Sequence, residues 1–173
     1  MVKESFMGKY KWWIIIAVVV LVLLYIVSAY NNFVGLEQNV NSMWSEVENQ
    51  YTRQADLIPN LVSVTASSVS VETKFVKDVV AARASWAAAN SQLEKDTAGV
   101  QMTNGITAFV NAVAENYPVL QANKQYIALT DELSGTQNRI ATARGRYIEG
   151  IQSFNTAVKR FPANLLAGLF GFT

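Results

Sequence analysis

The 173-residue chain contains no cysteine and no histidine, and only three prolines. Without cysteine it forms no disulfide. Without cysteine or histidine it has no thiolate or imidazole ligand for zinc and no imidazole to act as a base near neutral pH. Charge is scarce as well. Asp, Glu, Lys and Arg together make up 16% of the residues, against about a quarter in an ordinary soluble domain. Their formal sum is +1, so no basic excess points to nucleic acid. Arg139, Arg144 and Arg146 are scattered around one helix rather than forming a stripe.

The residues needed for familiar chemistry are missing in the same way. Serines occur at Ser63, Ser67, Ser68 and Ser70 with no histidine to activate them. A Ser70–Lys74 pair one helical turn apart is read as exposed helix polarity. The Glu-x-x-His pattern of bundle di-metal sites is absent. Glu46, Glu48 and Asp56 read as solvated charges rather than as ligands for a hard cation. No glycine-rich phosphate loop appears. The expectation is a protein that is not an enzyme and has no cofactor.

What is abundant is apolar chain. Trp12 to Tyr30 reads WWIIIAVVVLVLLYIVSAY, with no charge and a single serine. This is long enough to cross the hydrocarbon core as a helix. Trp12 and Trp13 lie at one end, and Tyr25 and Tyr30 toward the other, where amphipathic rings favour the membrane interfaces. The rival is a signal peptide with Lys9 and Lys11 as its basic region and Val27-Ser28-Ala29 as its cleavage site. The apolar run is long for that, so an uncleaved anchor is expected. Lys3, Lys9 and Lys11 precede the span, and the next basic residue is Arg53. The positive-inside rule then puts the N-terminus in the cytoplasm and the remainder outside it, in a single-pass protein.

Beyond the span, Phe33, Leu36, Val40, Met43, Val47 and Tyr51 recur at spacings of three and four, the seam of a bundle helix. Asn31, Asn32 and Gly35 offer a hinge before it. Pro59 disrupts a helix interior but suits a first turn. A turn is therefore predicted near Leu57, with a second helix from Pro59 to about Thr97 whose apolar face includes Leu61, Val64, Val71, Phe75, Val79, Ala82 and Trp86. Gly99 and Gly105 mark a weak stretch, followed by a short third helix over Ile106, Phe109, Val110 and Val113. Val119, Tyr126, Leu133, Ile140, Tyr147, Phe154 and Phe161 are seven apart throughout, with Ile151 and Val158 between them. They predict a fourth helix with left-handed packing, ended by Pro162.

The predicted fold is all-α: one N-terminal transmembrane helix continuing into an up-down bundle of about four helices. Its parts are a cytoplasmic segment (1–11), the span (12–30), the bundle (31–160) and an apolar C-terminal segment (161–173). Four helices alternating in direction return the C-terminus to the membrane side. Leu165, Leu166, Leu169, Phe170 and Phe172 then form an interfacial tail, or one tucked against the bundle. The predicted lengths do not match, since helices two and four outrun the first. That requires bending, tilting at the Asn31–Gly35 hinge, or packing shared between subunits. Leu57–Val71 and Thr97–Ala114 carry no charge. They serve either a deep core or an oligomer interface, for which Leu61, Val64, Val69, Val71, Ile106 and Phe109 are the candidates.

Arg53-Gln54-Ala55-Asp56-Leu57-Ile58-Pro59-Asn60-Leu61-Val62 is similar to the R-x-x-D-L-I-P-N-L-V block of the LemA family of bacterial membrane proteins. Tyr30-Asn31-Asn32-Phe33-Val34, Trp44-Ser45, Ala82-Arg83, Tyr117-Pro118-Val119-Leu120-Gln121-Ala122-Asn123, Glu132-Leu133, Asn138-Arg139-Ile140-Ala141, Ala143-Arg144, Phe161-Pro162-Ala163-Asn164 and Gly171-Phe172 extend the resemblance to the C-terminus. The chain departs from the family pattern in having little charge before and after the block and in Gln137 preceding Asn138. The resemblance implies a transmembrane helix in the bacterial inner membrane with a helical-bundle domain and a part in envelope or membrane organisation; it does not imply an enzymatic activity. The expected partners are the lipid bilayer, further copies of the chain and another membrane protein. Two functions compete: a self-associating scaffold, and an adaptor that recruits or regulates a membrane protease or sensor.

Overall fold

The computed structural model describes residues 4–68 and 73–172 and is all-helical among them. Six helices follow in order: α1 (Glu4–Ser68), α2 (Thr73–Ala88), α3 (Gln92–Asn116), α4 (Pro118–Gln121), α5 (Lys124–Lys159) and α6 (Ala163–Phe170). They divide into two compact units. One comprises residues 1–41 and 148–173, the other residues 42–147.

The predicted turn at Leu57 is absent. α1 runs through Pro59 to Ser68 and has no break at Asn31–Gly35. A proline inside a helix removes one N–H and leaves the carbonyl four residues earlier without its donor. That carbonyl belongs to Ala55, and the Arg83 Nε on α2 donates to it at 2.9 Å. A side chain from a neighbouring helix thus supplies what the backbone lost. With α1 extended and α2 only 16 residues long, the length mismatch disappears.

The second helix ends at Ala88 rather than near Thr97, because Ser91 starts a new one. The Ser91 hydroxyl accepts from the Glu94 N–H, while the Glu94 carboxylate accepts from the Ser91 and Asn90 N–H groups. This capping box satisfies the free donors of a helix start. The third helix therefore covers Gln92–Asn116 and contains Gly99 and Gly105, instead of beginning near Ile106. The predicted fourth helix loses its first turn. Val119 lies on α4 and is exposed, and Asn123 Oδ1 accepts from the Gln125 and Tyr126 N–H groups to open α5. α5 ends at Lys159, before Pro162.

In the unit spanning 42–147 the core gathers Val47, Tyr51, Ile58 and Leu61 of α1, Val79 and Trp86 of α2, Met102, Ile106, Phe109 and Val113 of α3, Leu120 of α4, and Tyr126, Leu133 and Ile140 of α5. Fully burying one such side chain contributes about 1.5–3 kcal/mol relative to exposure. In the unit of residues 1–41 and 148–173, Ala29, Phe33, Val158 and Ala167 form a smaller core with Phe154, Leu166 and Phe172 against it.

Candidate functional site

The N-terminal part of α1 is the one helix among the described residues long and apolar enough to cross a membrane. From Trp12 to Tyr25 every residue is exposed, Trp13 included, and Tyr30 is exposed as well. The predicted interface aromatics thus lie on the surface of a helix whose apolar side chains from Trp12 to Tyr25 are exposed.

The C-terminal segment packs beside the end of this stretch. Phe172 sits 5.3 Å, centroid to centroid, from Phe33, and contacts Phe154 and Tyr30 at 6.4 and 5.8 Å. Phe170 meets Tyr30 edge-on at 5.1 Å. Gly171 makes this return possible. Its φ of 77° is left-handed, a region open to glycine at little cost, and the Phe172 N–H then closes on the Ala167 carbonyl at 2.9 Å. Of the predicted tail residues, Leu166 and Phe172 are half-buried, while Leu165, Leu169 and Phe170 stay exposed.

The motif around Pro59 occupies the other unit. Arg53 does not pair with Asp56, three residues on along its own helix. It pairs instead with Glu132 on α5, with Nε 3.1 Å from Oε1. A helix neighbour shares one face of its own helix, whereas α5 presents a carboxylate across the contact. Both partners are largely exposed, and such pairs are worth little, about 0–1 kcal/mol. Ile58 is buried, Leu57 is half-buried, and Asp56, Pro59 and Asn60 face outward.

Three of the candidate oligomer-interface residues are corrected by the structure. Leu61, Ile106 and Phe109 are at most 1% exposed. They belong to the core of their own unit and leave no area for a neighbouring chain. Val64 is partly buried against the same core. Val69 and Val71 lie outside the described residues, as does Ser70 of the Ser70–Lys74 pair.

A cluster unnoticed in the sequence joins α1, α3 and α5. Tyr51 is 1% exposed. A Cβ on Gly99 would meet the Tyr51 ring at 2.6 Å, so glycine is what lets ring and helix backbone approach. The Asp96 carboxylate lies close enough to the Tyr51 phenol to act on its titration, and Arg144 Nη2 holds Asp96 Oδ2 at 2.9 Å. Burial pushes the Tyr51 phenol up to about 12; the Arg144 charge opposes this, and Asp96 adds to it. Burial also raises Tyr126 to about 12 and raises Tyr147, which feels the Asp96 charge as well. Nearby, Lys95 pairs with Glu48 and lies 5.5 Å from the Trp86 ring centroid. At the α3 start, the N–H groups of Asn90 and then Ser91 hold the Glu94 carboxyl below its ordinary value. The only advance signal for this cluster is Gly99, which in the sequence marks a weak helical stretch.

Glu46, Glu48 and Asp56 do not converge. Glu46 accepts from Gln50 Nε2 at 2.8 Å, Glu48 pairs with Lys95, and Asp56 is exposed. Among the described residues no three Asp or Glu side chains are grouped to hold a metal ion. A groove of about 320 Å³ is lined by Glu46, Gln50, Asn138, Arg139, Thr142 and Arg146.

Comparison with known proteins agrees with the resemblance read from the motif. The model of the LemA family matches residues 43–173. The magnetosome proteins MamQ 1 and MamQ 2 of Paramagnetospirillum magneticum are each 26% identical to the chain over 168 residues, covering 83% of it. The chain spans 62% of the length of these relatives.

Proposed function

The chain belongs to the LemA family, and from that premise we propose that it is a non-enzymatic, membrane-anchored scaffold that self-associates and organises or shapes the bacterial envelope. The observation that carries this reading is the apolar N-terminal part of α1, whose side chains from Trp12 to Tyr25 are all exposed. A helix satisfies its own backbone in lipid, and such a surface is stable there and costly in water. In this reading the basic residues ahead of Trp12 keep the N-terminus in the cytoplasm, and the protein divides into residues 1–11, 12–30, 31–160 and 161–173.

The Tyr51 cluster supports a structural role. A phenol pushed up to about 12 is a poor proton-transfer group near neutral pH, and its partners lock three helices together. The relatives are named for a cellular structure, the magnetosome, rather than for a reaction. Since Leu61, Ile106 and Phe109 are committed to the core, lateral association falls to the membrane-spanning stretch.

The adaptor reading is favoured by one observation. Arg139 and Arg146 line the groove with Glu46 and make no ion pair among the described residues, which leaves them available to a charged partner segment. Mass measurement of the full chain in mild detergent separates the two readings. A defined homo-oligomer is expected of the scaffold, whereas a monomer co-purifying with one stoichiometric partner supports the adaptor.

A further inference from the structure

α6 has two apolar faces and only one of them is covered. Ala167 and Leu166 pack toward Ala29, Phe33 and Val158. Leu165 and Leu169, four residues apart and so aligned on one line of the helix, are 67% and 76% exposed on the other side. Phe161, one turn earlier in sequence, is 77% exposed. A helix that is apolar all round is normally a buried one, and here one face is left uncovered by the described residues.

Its neighbour indicates the occupant. The Phe170 and Phe172 rings rest on Tyr30, the last residue of the apolar stretch that starts at Trp12. At 1.5 Å per residue that stretch measures roughly 27 Å, close to the thickness of a bilayer's hydrocarbon core. If Trp12–Tyr30 spans, Tyr30 stands at the boundary between acyl chains and headgroups, and α6 stands beside it. The charge agrees with that position. Lys159 and Arg160 immediately precede the segment, and no Asp or Glu follows Glu149. Amphipathic elements at an interface combine an apolar face with basic residues in this way.

We propose that α6 is an interfacial helix: the acyl chains of the bilayer that holds the anchor cover Leu165 and Leu169, and Lys159 and Arg160 lie among anionic headgroups. The proposal rests on the reading of Trp12–Tyr30 as the membrane span. It gives the chain two attachments to one leaflet, joined through the aromatic contacts of Tyr30 and Phe33 with Phe170 and Phe172.

The lack of native cysteine makes a direct test simple, because a single introduced cysteine takes a fluorescent label alone. Leu169→Cys alters a side chain that is 76% exposed and belongs to neither core. The full chain carrying an environment-sensitive label there is reconstituted in phosphatidylcholine–phosphatidylglycerol vesicles, with quencher groups on the lipids at shallow or deep positions. Blue-shifted emission and about a twofold loss with the shallow quencher are expected. The same label on Asn39→Cys, an exposed position nine residues past Tyr30 on α1, should remain water-like and unquenched. Val19→Cys tests the anchor separately through the deep quencher. If Val19→Cys is quenched while Leu169→Cys stays water-like, the tail proposal is overturned and the anchor stands. Blue-shifted Leu169→Cys emission that ignores the lipid quenchers and follows the protein-to-lipid ratio means that a second copy covers the face, which also overturns it. If neither position is quenched, the anchor and the proposal fall together. Replacing Lys159 and Arg160 by Gln should weaken the quenching at Leu169→Cys in the anionic vesicles and leave it unchanged in pure phosphatidylcholine. Equal quenching of parent and variant in the anionic vesicles would overturn the headgroup contact.

Discussion

The Arg83 guanidinium donates through Nε to the Ala55 carbonyl at 2.9 Å, the carbonyl that Pro59 leaves without a helical donor. The two residues are 28 apart in sequence, and between them the chain leaves one helix and enters another. Proline in a helix interior costs about 3 kcal/mol, in part through the lost rung. Here the rung is replaced from outside, so α1 continues where its sequence alone says stop.

The first prediction follows from that pairing. Arg83→Ala should destabilise the protein by about 1 kcal/mol, the usual net worth of one hydrogen bond. Pro59→Ala restores the backbone donor, so Arg83→Ala should cost close to nothing in that background. Urea midpoints of the four proteins, followed by the fluorescence of buried Trp44 and Trp86, form the double-mutant cycle. Equal costs in both backgrounds would show that the contact carries no energy.

Gly99→Ala tests the packing of Tyr51. An added methyl would stand 2.6 Å from a ring that is 1% exposed and packed in the core, so the ring must shift against its neighbours. Overpacking of this kind costs about 1–3 kcal/mol, more than the roughly 1 kcal/mol that replacing a helical glycine with alanine returns. A lowered melting temperature is expected. With Tyr51→Ala already in place, the same substitution should raise it.

Stability should fall at alkaline pH. Tyr51 and Tyr126 sit near 12 in the folded protein, against an ordinary value of 10.0. Below pH 10 both states keep the protons, and the stabilisation from the neutral phenols is fully present. Between pH 10 and about 12 the unfolded chain releases protons that the folded chain retains, so stability declines as pH rises. Unfolding midpoints on either side of pH 10 should show this decline. The Tyr51→Phe, Tyr126→Phe double variant should show much less of it.

Asp96→Asn should lower the titration midpoint of the Tyr51 phenol, because the nearby Asp96 carboxylate raises it. Burial remains the leading cause, so the midpoint should still exceed the ordinary value. Tyrosinate absorbance, differenced against Asp96→Asn, Tyr51→Phe, isolates this one group. An unchanged midpoint would mean that the Asp96 contact does not form in solution.

Much of the architecture was legible wherever a spacing repeats. The series Phe33, Val47 and Tyr51, and the series Tyr126, Leu133 and Ile140, turn inward as their intervals require. The apolar run from Trp12 and the Arg53–Val62 block were readable from residues next to one another. The ends of the seven-residue series were not. Val119 and Phe161 continue the count yet lie exposed on either side of α5, because the Asn123 cap and Pro162 end the helix without changing the arithmetic.

By itself the sequence determined the helical class, the apolar anchor and most of the inward stripes, because each depends on periodicity or length within one segment. Tertiary structure decided the rest. Pro59 reads as a stop until Arg83 is seen on its carbonyl, and Gly99 reads as a weak point until the Tyr51 ring is seen against it. The charge-free stretches read equally as deep core or as surface for a partner until Leu61, Ile106 and Phe109 are found in a common core. In each case the deciding group lies on another helix, and its contribution is a donor, a ring or an apolar wall that no local pattern contains.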